Sequence, residues 1–135
     1  MKKNTIAVIG LLVVFCVLSV GLYFSFYPDD VFIHIGFAKD IAEGRGYSFA
    51  GNSTYGASSP LWPLLIALGN MAIGNYEITA KCLSLLFSIA ALLLFYRFLK
   101  YRFEQWKSVF GTALLAFNPY MLRWAGTGME ATAAV

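Results

Sequence analysis

Charge is what this chain has least of. Asp, Glu, Lys and Arg make up only 13% of its residues, hydrophobic residues make up 59%, and mean hydropathy is +0.68. A soluble domain carries about 25% charged and about 45–50% apolar residues, so this balance predicts an integral membrane protein. The net charge is +3, but the basic residues split into two short clusters and form no stripe, which excludes a nucleic-acid-binding face. Cysteine is scarce as well. Cys16 and Cys82 each lie in an apolar helical run and read as small buried hydrophobes, not as a disulfide or a metal pair. His34 is the single histidine, and one imidazole with scattered carboxylates gives no convergent ligand set by spacing. The acidic pair Asp29-Asp30 keeps a divalent cation, Mg²⁺ or Ca²⁺, open as an alternative; no other cofactor is indicated.

An Ala-x-Ala-like cleavage site is also missing. Met1-Lys2-Lys3 imitates the start of a signal peptide, yet the charge-free run behind it, Thr5 to Tyr27, has 23 residues. That exceeds the usual apolar core of a signal peptide, about 7–15 residues, and is enough to cross a bilayer as a helix. The pattern predicts a retained first transmembrane helix at 5–27, a second at 78–96 and a third at 108–122, the last bent or ended at Asn118-Pro119. Six Lys and Arg residues fall at the N-terminus and in the 97–107 loop, against two in the 28–77 segment. The positive-inside rule therefore puts the N-terminus and residues 97–107 in the cytoplasm, and Asp29 and Asp30 outside. Lys81 is the one charge in the second span, and its ammonium is expected to reach the interface along its own stem.

The first outer segment, 28–77, is too long for a plain connector. From Asp30 to Glu43 the spacing suits an amphipathic helix, with Gly36, Lys39, Asp40 and Glu43 on one side and Val31, Ile35, Ala38 and Ala42 on another. Asp29 or Asp30 is expected to cap it and Gly44-Arg45-Gly46 to stop it. A turn at Gly51-Asn52 between Tyr47-Ser48-Phe49 and Thr54-Tyr55 predicts a short hairpin. Ser58 or Ser59 then caps a helix opened by Pro60. Leu61 to Ile73 is apolar but too short to span, and reads as re-entrant or interfacial. Residues 123–135 return to the outer side as a loop and the start of a fourth apolar segment.

Two adjacent carboxylates at a membrane exit are poor packing material and good acid/base material; helix capping accounts for them equally well. Behind them come Ala42-Glu43-Gly44-Arg45-Gly46-Tyr47-Ser48-Phe49, then Tyr55-Gly56-Ala57-Ser58-Ser59-Pro60-Leu61-Trp62, and finally Ala125-Gly126-Thr127-Gly128-Met129-Glu130. This order resembles the N-terminal part of the GT-C membrane glycosyltransferases, in the branch of the actinobacterial arabinofuranosyltransferases and related mannosyltransferase-like enzymes. The resemblance implies an all-α, multi-span fold and inverting transfer of a sugar from a polyprenyl-phosphate carrier to an extracytoplasmic glycan or lipid acceptor, in the cell membrane. It makes Asp29 the catalytic base, with Asp30 as alternative or partner. Arg45, Lys81 and Arg123 become contacts for the carrier phosphate, Arg123 before the others, with Glu130 in the same substrate-binding set. Family members are several times longer, so the expectation is an N-terminal fragment of such an enzyme. The alternative is a small non-catalytic membrane subunit or scaffold, or an inactive remnant.

Overall fold

The computed structural model describes residues 2–53 and 59–132. The chain is mostly helical: α1 (Lys2–Tyr23), α2 (Asp29–Ala42), a two-residue ladder of β1 (Ser48–Phe49) with β2 (Asn52–Ser53), α3 (Leu61–Ile73), α4 (Tyr76–Arg102), α5 (Gln105–Ala116) and α6 (Pro119–Thr127), closed by a 3₁₀ turn at Glu130–Thr132.

Two helices are long and apolar enough to cross a membrane: α1 over Thr5–Tyr23 and α4 over Tyr76–Arg102. The 27 residues of α4 give a rod of about 40 Å at the usual helical rise. It runs past 78–96 at both ends, and only Phe103 and Glu104 separate it from α5. The cytoplasmic loop expected at 97–107 is therefore largely helix. The third span, 108–122, is replaced by two short helices meeting at Phe117-Asn118. Pro119 has no N–H to extend the ladder of α5 and instead opens α6, while the Asn118 side chain accepts from the Tyr120 amide at 2.9 Å.

The interior mixes apolar side chains with hydroxyls. Hydroxyls lie inside: Ser84, Ser88, Thr79, Ser108 and Thr112 are buried. Each of the last four donates to a backbone carbonyl one turn earlier, as in Ser88 to Ser84 (2.7 Å) and Thr112 to Ser108 (2.8 Å). Large apolar side chains point outward instead, among them Val17, Leu86, Leu94, Phe110 and Leu114. These back-bonds satisfy the four hydroxyls within their own helices, whereas the buried Ser19 hydroxyl has no partner among the described residues.

Two apolar clusters hold the helices together. Phe15, Leu92, Ala116, Met121 and Ala125 join α1, α4, α5 and α6, and Ala38, Trp62, Ile66, Ala67 and Ala80 join α2, α3 and α4. Gly126 sets the approach of α6 to α1. A methyl group there would fall 2.6 Å from the Ser19 carbonyl oxygen, closer than atoms can pack.

The outer segment differs from expectation at its caps. Pro28, extended at φ −64° and ψ 144°, holds the N-cap position of α2, and Asp29 and Asp30 sit inside the first turn without capping it. Their charges act there on the positive end of the helix dipole. Pro60 holds the N-cap position of α3 without a side-chain bond. The hairpin turn lies at Ala50-Gly51, both in the left-handed region at φ 52° and 79°, with Asn52 already in the second strand. That twist matches the strands it joins. The expected strand residues Thr54 and Tyr55, and the cap residue Ser58, lie outside the described residues.

Candidate functional site

Residues of α2, α4 and the segment opening α3 converge on residues 124–130 at one end of the bundle. Trp62, at the start of α3, donates its indole N–H to the Gly128 carbonyl at 3.1 Å. Ser59 Oγ donates to Glu130 Oε1 at 3.0 Å. His34 Nε2, one turn into α2, lies 3.2 Å from Glu130 Oε2. Ser84 of α4 reaches the carbonyls of Trp124 (2.7 Å) and Met129 (3.1 Å). Gly128 makes the approach feasible, because its φ of 86° is a left-handed conformation and a methyl group would press on Ala80 at 3.2 Å. Glu130 is thus not a loose loop residue: its Oε1 holds the segment before α3 through Ser59, while its buried Oε2 lies against His34 without a hydrogen bond among the described residues.

His34 is 3% exposed, and its Nδ1 has no hydrogen-bond partner among the described residues. Spacing along α2 does not reveal the carboxylate it meets. Ser59 was read as a cap. The signal that could have found both was the lone carboxylate of the Gly-Thr-Gly-Met-Glu segment, since a half-buried acid needs donors.

Asp29 and Asp30 are exposed and have no hydrogen bond or ion pair among the described residues. A helical turn separates Asp30 from His34, so Asp30 projects on the arc of α2 that faces the bundle. Asp29 projects on the arc shared with the exposed Phe32 and Ile33.

Asp40 proves to be the buried acid of α2, not part of a solvated stripe. Its carboxylate accepts from Ser48 Oγ (2.7 Å), the Gly51 amide (3.0 Å) and Arg45, and Arg45 also pairs with Glu43. The Gly51 amide, the guanidinium and the Ser48 hydroxyl together lower its pKa to about 2. Asp40 therefore organises the 44–53 loop, and Arg45 is engaged in that loop rather than open to a substrate phosphate. The sign of the linkage follows. A depressed pKa stabilises the loop above the ordinary value of 3.8, and the contribution disappears as pH falls toward 2. Asp40→Asn is expected to raise the rate of proteolytic nicking at 44–53 by about tenfold at neutral pH, and acidification of the native chain below pH 3 should do likewise with an acid-tolerant protease. An unchanged nicking rate in Asp40→Asn would refute this role.

Lys81 also departs from expectation. It is 2% exposed, its ammonium donates to the Phe24 carbonyl, and it lies over the rings of Tyr27 (3.4 Å) and Phe24 (4.4 Å). The charge turns inward to pin the α1–α2 connection to α4 and does not reach solvent. The Tyr27 hydroxyl beside it is held above its ordinary pKa by desolvation and by Glu77.

Arg123 remains open. Its guanidinium stacks on Phe26 (4.7 Å) and Trp124 (5.3 Å) and lines a cleft of about 600 Å³ with Leu22, Tyr23, Phe26, Pro119 and Tyr120. The cleft joins a cation to apolar and aromatic walls, which suits an amphiphile with an anionic head. No group of three or more His, Cys, Asp or Glu able to hold a metal ion occurs among the described residues.

Beyond its own geometry, the chain has two helices fit to cross a membrane and a polar site at the end of its helix bundle. Compared with known proteins, it matches no family model, no curated protein and no solved structure.

Proposed function

We propose that this chain belongs to a membrane glycosyltransferase of the GT-C type, which moves a sugar from a polyprenyl-phosphate carrier to a glycan or lipid acceptor on the extracytoplasmic side with inversion. The observation that carries the reading is the convergence at Glu130. Two segments that resemble the family, Ser59–Trp62 and Gly126–Glu130, are far apart in sequence and meet through the Ser59–Glu130 and Trp62–Gly128 bonds, with His34 of α2 beside them.

In this reading Asp29 takes the proton of the acceptor hydroxyl as its oxygen attacks the anomeric carbon. Asp30, on the bundle-facing arc beside it, orients the acceptor. The bond from the anomeric carbon to the phosphate oxygen breaks, and the phosphate departs carrying its own negative charge. A cation near that oxygen therefore helps more than an acid. Arg123 is the best candidate, with the carrier's prenyl chain along the apolar wall of its cleft. Lys81 and Arg45 are already engaged by protein groups and act by shaping the surroundings.

Sealed vesicles carrying the full-length protein test the reading. Polyprenyl-phosphate sugar and acceptor supplied on the face bearing Asp29 should give transfer with inverted anomeric configuration. Transfer confined to the face bearing Arg97 and Lys107, or none with any polyprenyl-phosphate sugar, would overturn it.

A further inference from the structure

At the opposite end of the bundle, the first half of α1, the last turns of α4 and the start of α5 line a second cleft, of about 750 Å³. That volume lies within the roughly 300–1,000 Å³ of known ligand sites. One part of its lining is hydrocarbon: Val8, Ile9 and Leu12 from α1, and Leu93 from α4. Its rim is polar and cationic, with Tyr96, Arg97, Lys100 and Gln105.

The charge at this rim is unbalanced. Arg97 and Lys100 stand three residues apart on α4 and share a face. Neither has an ion-pair partner among the described residues, and the neighbouring acid, Glu104, is taken by Lys107 at 3.3 Å. Both α4 cations lie just beyond the apolar stretch of a helix long enough to cross a bilayer, which is the depth of lipid phosphates. The geometry points to a binding site for one anionic diacyl phospholipid, its phosphate between Arg97 and Lys100 and an acyl chain against Val8, Leu12 and Leu93. Gln105 Nε2 donates to the Tyr96 hydroxyl at 3.4 Å, which leaves the Tyr96 O–H and the second amide N–H as neutral donors to the headgroup oxygens. A zwitterionic lipid fits the same walls but brings its own cation to a rim that already has two. This site rests on membrane insertion of α1 and α4 and is independent of sugar transfer.

The test is native mass spectrometry of the full chain in detergent, titrated with phosphatidylglycerol or with phosphatidylcholine of the same acyl chains. The wild type should retain one phosphatidylglycerol, saturably, with affinity about 30-fold above phosphatidylcholine, as expected for two cations near a headgroup. Arg97→Gln with Lys100→Gln should abolish the preference, while the charge-conserving pair Arg97→Lys with Lys100→Arg keeps most of it. Lys107→Gln, outside the cleft, should leave it intact. Far-UV circular dichroism verifies that each variant is folded. Equal affinity for the two lipids in the wild type, as when a second copy or another helix fills the cleft, would overturn the site. Equal weakening by Lys107→Gln would also overturn it, by making the attraction diffuse.

Discussion

Asp29→Asn in the full-length protein is expected to reduce sugar transfer by about 10²- to 10⁴-fold, the usual contribution of a positioned general base, with insertion into the membrane unchanged. Asparagine has nearly the same shape and keeps a hydrogen-bond acceptor, so the lost activity reports the lost proton acceptor. Folding is a weak confounder, because the Asp29 side chain is exposed and caps nothing. Loss of one charge at the helix N-terminus costs about 0.3–1 kcal/mol, far too little to unfold a multi-helix chain. Asp30→Asn should lower activity less, since Asp30 holds the acceptor and does not take the proton. Turnover within twofold of wild type in Asp29→Asn would remove Asp29 from the chemistry, and a larger loss in Asp30→Asn would exchange the two roles.

Trp62→Ala carries the largest expected cost in stability, about 3–5 kcal/mol for truncating a buried aromatic. The ring is 2% exposed in the cluster of Ala38, Ile66, Ala67 and Ala80, and tilts on Phe87 at 5.8 Å. Its N–H also occupies the Gly128 carbonyl, so the truncation opens a cavity and frees the segment that carries Glu130. Trp62→Phe separates the two effects. It keeps most of the packing and drops the hydrogen bond, for about 0.5–1.5 kcal/mol plus the smaller ring's share. Denaturant unfolding in mixed micelles, followed by circular dichroism, measures both. A loss under 1 kcal/mol for Trp62→Ala would mean that α3 is not anchored through this side chain.

Much of the helical skeleton is legible in the residues themselves. A charge-free run and a second apolar run identify α1 and α4, and the stretch Leu61–Ile73 coincides with α3 because Pro60 and Gly74 bound it on either side. The long reach of α4 was not legible. Arg97, Lys100 and Arg102 read as a loop by hydropathy, yet they are good helix formers and simply extend the helix. The break at Asn118-Pro119 was visible, but its consequence, two short helices rather than one bent span, depended on the Asn118 cap.

The site was half legible. Glu130 and Arg123 stood out as charges at a bilayer face, and Asp29-Asp30 as an unexplained pair. His34 and Ser59 did not stand out, because their importance comes from meeting Glu130 across 71 residues of chain in the case of Ser59. Lys81 misled because snorkelling is a property of a side chain with lipid around it, whereas here the aromatic rings of Phe24 and Tyr27 already cover it. Asp40 misled for the same reason. Its place on a polar arc suggested water, and the Ser48–Phe49 strand covered it instead.

The interruption between α5 and α6 has a wider meaning. A continuous rod would transmit a tilt imposed at one membrane surface directly to the other. With no amide hydrogen at Pro119 and a separate cap at Asn118, the two segments are jointed. The unbroken α4 packs on both and holds the Trp124 and Met129 carbonyls through Ser84, so it is α4, and not the jointed pair, that carries a displacement from one end of the bundle to the other.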